Sequence, residues 1–134
     1  MNVLVMDGMG GGIGKSIIER VKTELPDVCV IAVGTNSIAT SVMLKAGADI
    51  GATGENAVAY NAARVEYIVG VLGIAFANSM HGEVSPRMAE AITMSPAHKI
   101  LIPIDKCNVT VTGAEAATVQ ACIAEVVAKL RRRD

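Results

Sequence analysis

The sequence predicts a three-layer α/β/α sandwich on a mainly parallel sheet of about five strands, and three observations carry that expectation. Short apolar runs alternate with stretches of helical apolar spacing, and the junctions between them are glycine-rich or polar. The chain has 134 residues and is 51% hydrophobic, enough for one substantial core, so residues 1–134 are expected to form a single domain.

Val3-Leu4-Val5-Met6 reads as the first strand. Ile13, Ile17, Val21 and Leu25 then recur at helical spacing until Pro26, and Val28 to Val33 form the second apolar run. This is a βαβ unit whose right-handed crossover lays the two strands parallel. Gly34-Thr35-Asn36-Ser37 ends the second strand, and Asn36 or Ser37 can cap a helix running through Val42 and Leu44 to Gly47. Ala48 to Gly54 is small and glycine-punctuated and reads as an ordered loop, followed by a short helix from Glu55 to Ala63. Tyr67 to Leu72 is the third strand, and an apolar turn from Gly73 to Gly82 follows it. Ser85-Pro86 supplies a cap and a favoured first residue for a helix through Ala89 and Ile92, ending near Ser95-Pro96.

Lys99 to Pro103 is the fourth strand. Only four residues separate it from Asn108 to Thr112, too few for a parallel crossover, so that fifth strand is expected to be antiparallel. A last helix, about Ala114 to Leu130, places Val119, Cys122, Ile123, Val126, Val127 and Leu130 on one face. The expected order, numbering these strands as they occur, is 2-1-3-4-5 with the last reversed, a Rossmann-like arrangement.

Composition excludes several classes of function. Twelve Lys and Arg against thirteen Asp and Glu give a net charge of −1. With two Tyr, one Phe and no Trp, neither a basic footprint nor a stacking surface is available for nucleic acid. Arg131-Arg132-Arg133 is read as complementing a helix end. Cys29, Cys107 and Cys122 form no C-x-x-C pair and have no neighbouring histidine, which argues against a disulfide framework or a metal site. No basic and apolar leader opens the chain and no apolar stretch reaches membrane-spanning length, so a reduced, cytoplasmic protein is expected.

The chemistry should lie in Asp7-Gly8-Met9-Gly10-Gly11-Gly12-Ile13-Gly14-Lys15-Ser16, a bare strand-to-helix turn. Backbone N–H groups and the positive end of a helix dipole converge at such a turn and favour phosphate. G-x-G-x-x-G fails by one residue in either frame, because Ile13 or Lys15 stands where the third glycine belongs. The P-loop spacing fits Gly14-Lys15-Ser16 but places Met9 at its first glycine. Gly8-x-x-x-Gly12-x-Gly14 is complete and resembles the cofactor loop of short-chain dehydrogenases, with Asp7 in place of the usual threonine. The acid-base pair of that class has no counterpart beyond Tyr60-x-x-x-Arg64, so its chemistry is not carried over. A turn that only packs strand against helix is the plain alternative.

In an open parallel sheet the ligand crevice lies beyond the carboxyl ends of the strands, where strand order reverses. Gly8, Gly10, Gly11, Gly12, Ile13, Gly14, Lys15 and Ser16 are therefore expected on a phosphate, and Thr35, Asn36 and Ser37 on a sugar or second phosphate, with Asn78 and Ser79 nearby. The second strand ends without an acid to hold a ribose diol, which favours NADP or another nucleotide over NAD. His81, Asn78 and Glu55 are the candidates for acid-base work, although a loop histidine and an acid at a helix start also have ordinary structural roles. Lys15, Ser16 and Asp105 offer a second reading, a P-loop-like NTPase with Mg²⁺. A third is a non-enzymatic sensor or scaffold.

Asp7-Gly8-x-Gly10-Gly11-Gly12-Ile13-Gly14, Gly34-Thr35-Asn36-Ser37-Ile38-Ala39-Thr40, Lys45-Ala46-Gly47-Ala48-Asp49, Gly51-Ala52-Thr53-Gly54-Glu55-Asn56-Ala57 and Ala77-Asn78-Ser79-Met80 together resemble a bacterial family known as domain of unknown function 3842. The resemblance spans nearly the whole chain, implies a Rossmann-like fold and brings no activity with it. Met9 departs from it, where a polar residue is expected. The leading expectation is a domain that binds a phosphorylated small molecule. A chain without a separate substrate domain would complete its site as a homodimer or higher homo-oligomer, with no nucleic-acid or membrane partner.

Overall fold

The computed structural model describes residues 1–104 and 108–132. Five strands and five helices follow in the order β1 (Asn2–Asp7), α1 (Gly12–Glu24), β2 (Cys29–Gly34), α2 (Ser37–Lys45), β3 (Ile50–Thr53), α3 (Glu55–Ala62), β4 (Tyr67–Val71), α4 (Pro86–Met94), β5 (His98–Ile102) and α5 (Val119–Arg132). A single 3₁₀ turn, Leu72–Ala75, follows β4 directly. All described strands pair in parallel in the order β3-β2-β1-β4-β5.

β1 is central, and the strands beside it explain its composition. It pairs with β2 from Asn2↔Cys29 to Asp7↔Gly34 and with β4 from Val3↔Tyr67 to Val5↔Val69. Val3 and Val5 face one core with Ile17, Ile18 and Val21 of α1, Met43 of α2, and Ile123, Val126, Val127 and Leu130 of α5. Leu4 and Met6 face the other, with Val58 of α3 and Met88 and Ile92 of α4. Burial on both faces makes an unbroken apolar run of this strand, as a parallel sheet covered by helices demands. The excursion from β3 through α3 to β4 crosses to the other side of β1 and so creates the reversal between β1 and β4.

The expected topology is corrected at both edges. The ordered loop read over 48–54 contains β3, which pairs Ile31↔Ile50 through Gly34↔Thr53 on the outside of β2. A strand of four residues holding a glycine gives no alternating pattern. Gly51 is bare because a Cβ there would come 2.6 Å from Leu44 Cγ on α2. At the other edge, β5 is parallel to β4 and is the last described strand, whereas Asn108 to Thr112 forms none. Its Val and Thr residues suit a strand, but Thr110, Val111 and Thr112 are exposed, so no buried face rewards pairing. The last helix starts at Val119 rather than near Ala114, and its expected face is turned inward.

Local signals set the helix starts. Asn36 caps α2 by accepting from Ala39 N–H at 2.8 Å, and Ser85 caps α4 from Met88 N–H at 3.1 Å with Pro86 following. α1 differs: Gly11 at its start is left-handed, with φ 73°, and offers no capping side chain. Among the described residues no helix is long and apolar enough to cross a membrane.

Gly34 closes β2 where the chain must turn tightly into α2. A Cβ there would lie 2.7 Å from both Asn36 O and Thr40 N, backbone atoms that cannot swing aside. Gly34→Ala should lower stability by about 1–3 kcal/mol. Urea denaturation reads this as a lower midpoint, and an unchanged midpoint would show that the turn has room to spare.

Candidate functional site

The reversal between β1 and β4 opens a cleft of about 710 Å³ at the carboxyl ends of the strands. One wall is the glycine loop from Asp7 to Ile13; the other is Val71, Gly73 and the segment from Phe76 to His81, with Ile104 and Asn108 completing the rim. This volume falls within the ordinary range for small-molecule sites.

The glycine loop is shaped from behind by two carboxylates. Asp7, buried at the end of β1, accepts from Gly8 N–H at 2.7 Å through Oδ1 and from Gly14 N–H at 2.8 Å through Oδ2. It thereby supplies the cap that Gly11 cannot, in the first turn of α1. Glu83 reaches the loop from the opposite wall: its Oε1 accepts from Met9 N–H at 2.8 Å, Thr35 Oγ1 at 2.6 Å and Asn36 Nδ2 at 3.0 Å. Gly11 N–H donates to Gly8 O and Lys15 N–H to Gly11 O, both at 2.9 Å. The N–H groups of Gly10, Gly12 and Ile13 have no protein acceptor among the described residues, and all three residues line the cleft.

The two carboxyls are driven in opposite directions. Burial pushes Asp7 above its ordinary range, with the Glu83 charge adding to it against the pull of the Gly14 and Gly8 N–H groups. The Thr35 hydroxyl, and after it the Met9 N–H, hold Glu83 below the usual glutamate range. Their donors therefore favour an ionised Glu83 and only partly compensate a buried Asp7.

The facing wall is built from unusual backbone. Asn78, Met80 and His81 have φ of 65°, 57° and 56°, Met9 on the glycine loop has 53° and Asn108 on the rim has 57°. These are the non-glycine residues of positive φ among the described ones, and every one of them lines the cleft. Such conformations cost roughly 1–2 kcal/mol for an ordinary side chain. The segment that carries Asn78, Met80 and His81 is held by Asn78 N–H on Val84 O at 2.7 Å, by Val84 N–H on Ser79 O at 3.2 Å, and by the buried Ser79 hydroxyl on Gly73 O.

The sequence candidates divide by position. Gly8, Gly10, Gly11, Gly12, Ile13, Asn78, Ser79 and His81 line the cleft together. Gly14 lies behind the loop, where a Cβ would meet Met43 Sδ at 2.6 Å and Asp7 Cβ at 3.0 Å. Lys15 and Ser16 are outside the lining, and Ser16 Oγ donates back to Gly12 O at 3.2 Å. Thr35 and Asn36 are also outside it, turned to Glu83, and Ser37 is exposed at the start of α2. Glu55 joins α3 to α4 by accepting from Ser85 Oγ at 2.6 Å and pairing with Arg87 at 3.3 Å, away from the cleft. Asp105 and Cys107 fall outside the described residues. The Tyr60–Arg64 pair is a local stack, with the guanidinium 3.7 Å from the ring centroid.

Asp7 and Glu83 are not among the site residues that the sequence predicts. Asp7 carried a signal, an acid closing an otherwise apolar strand. Glu83 is legible only as a neighbour of His81 in the loop that borders the crevice; its partners lie 47, 48 and 74 residues away. Because its native pKa lies below the unfolded value of about 4.3, its contribution is complete above that pH and is lost as pH falls through the native value. The Tm difference between the wild type and Glu83→Gln should be widest near neutral pH and close in acid, where both side chains are uncharged. A difference that stays constant throughout would assign Glu83 a packing role only.

No curated protein matches the sequence. Among solved structures, the chain is similar to a dodecameric FMN-dependent UbiX-like decarboxylase from Escherichia coli O157:H7, at 15% identity and a TM-score of 0.45, over 99% of this chain and 94% of that one. A family model described as a domain of unknown function matches residues 2–133. That match spans nearly the whole chain, which belongs to the family domain of unknown function 3842.

Proposed function

We propose that the cleft between β1 and β4 binds a phosphorylated small molecule of the nucleotide class, with its phosphate on the N–H groups of Gly10, Gly12 and Ile13. The observation that carries this reading is a division within the glycine run. Gly8, Gly11 and Gly14 serve the fold: Cβ atoms at these positions would lie within 3.0 Å of neighbouring atoms, and Gly11 has positive φ besides. Gly10 and Gly12 do neither. Both have ordinary φ, and a Cβ on either would meet nothing within 4 Å. Glycine at such positions costs conformational entropy without a packing return. Their bareness, beside N–H groups with no protein acceptor at the start of a 13-residue helix, suits a ligand oxygen that must come close to the backbone.

A P-loop reading has less support. It needs the Lys15 and Ser16 side chains on the phosphates and the metal, and both stand outside the cleft lining. A loop that only packs would leave Gly10 and Gly12 without a reason. His81 and Asn78 on the facing wall are the proposed acid-base and orienting groups for any reaction of the bound molecule.

Gly12→Ala separates binding from folding. Its stability should stay within about 1 kcal/mol of the wild type or rise, because alanine is the better helix former. Thermal-shift and calorimetric titrations with inorganic phosphate, AMP, FMN, NADP and ATP should show a ligand that stabilises the wild type by about 2.7 kcal/mol at a hundredfold excess over Kd. The same ligand should bind Gly12→Ala at least about tenfold more weakly, a loss of 1.4 kcal/mol. Undiminished binding to the alanine variant would move the phosphate away from this loop.

A further inference from the structure

The two sides of the glycine loop are not equivalent. On the β4 side lies the open cleft. On the β2 side, where a dinucleotide-binding sheet reads the ribose of its second nucleotide, the chain has placed its own carboxylate. Three donors that a ribose hydroxyl or a ribose phosphate would need, Met9 N–H, Thr35 Oγ1 and Asn36 Nδ2, all converge on Glu83 Oε1. Asn36 Nδ2 also reaches Met9 O at 3.0 Å, and its Oδ1 caps α2, so the amide is fully engaged. The space beside them is filled as well: a Cβ on Gly8 would come 2.6 Å from Thr35 Oγ1, 2.7 Å from Met80 Sδ and 3.0 Å from Glu83 Oε1. No residue between 14 and 70 lines the cleft.

The β4 side has a different character. Beyond the three N–H groups, Met9, Ile13, Val71, Phe76, Met80 and Ile104 make much of its walls apolar, beside the polar Asn78, Ser79 and His81. Met9 and Phe76 remain 50% and 38% exposed although both are large and apolar, and Phe76 is the chain's single phenylalanine. Apolar walls facing a phosphate cradle call for a ligand with an anion at one end and a flat or apolar body at the other.

We propose that the ligand is a phosphomonoester with one aromatic or apolar body, held wholly on the β4 side, and that Glu83 is the residue that closes the β2 side to dinucleotides. This rests on the phosphate-binding reading above and narrows it. Glu83 acts twice: it takes the donors that a second nucleotide would use, and its charge repels a ribose phosphate.

Calorimetry on the full chain with inorganic phosphate, AMP, NAD and NADP tests it. AMP should bind the wild type at least as tightly as either dinucleotide. Phe76→Ala should weaken AMP about tenfold and leave inorganic phosphate within about twofold, since only the body of the ligand meets that wall. Glu83→Ala should raise the affinity for NADP relative to AMP about tenfold. Glu83→Gln, which keeps an oxygen for Met9 N–H and loses the charge, should move the same ratio in the same direction and covers the case in which the alanine variant fails to fold. NAD or NADP binding the wild type tenfold more tightly than AMP, or an NADP-to-AMP ratio unmoved in both Glu83 variants, would overturn the inference while leaving the phosphate cradle standing. Failure of every probe to bind would remove the cradle and the inference together.

Discussion

The carboxylate of Asp7, held between the N–H groups of Gly8 and Gly14, is the interaction on which the site depends. It ties the last residue of the central strand to the first turn of the helix that follows, and so sets the path of the bare residues between. Without it the first turn of α1 would have no side-chain cap, because Gly11 offers none. A carboxylate is also the one group at this place that competes with an external anion. Asp7 takes the N–H groups of Gly8 and Gly14 and leaves those of Gly10, Gly12 and Ile13 unclaimed among the described residues. The Asp7 carboxyl and these unclaimed donors thus share one helix terminus, a division made possible by the several unsatisfied N–H groups that every such terminus carries.

Glu83 extends this logic across the cleft. It belongs to the segment after β4, yet its strongest partners are on the loop after β1 and the turn after β2. One oxygen therefore joins three crossover connections, and it links the glycine loop to the segment that carries the strained wall from Asn78 to His81. Burial disfavours the charge of Asp7, whereas hydrogen bonding favours that of Glu83, so the two acids divide into one held for geometry and one held for charge.

What the sequence made legible follows the physics of each element. α1, α2 and α4 announced themselves through periodicity and through Asn36, Ser85 and Pro86, because caps act over a few residues. The glycine loop was equally plain. β3 was hidden, since four residues with a glycine at the α2 contact carry no alternation. Asn108 to Thr112 misled in the opposite sense: its composition suits a strand, and only the absence of a burying partner decides against one. Within the site, Gly10 and Gly12 look identical in sequence to Gly8 and Gly14. Only the space around each Cβ tells a packing glycine from an open one.

The five left-handed side-chain-bearing residues around the cleft set where the molecule is softest. At Met9, Asn78 and Met80 hydrogen bonds to Glu83 and Val84 help to hold a conformation that the local chain does not prefer. A backbone whose conformation costs energy locally is expected to open before the sheet and the two cores do. The shape of the cleft is then a more sensitive reporter of the health of the fold than its secondary structure.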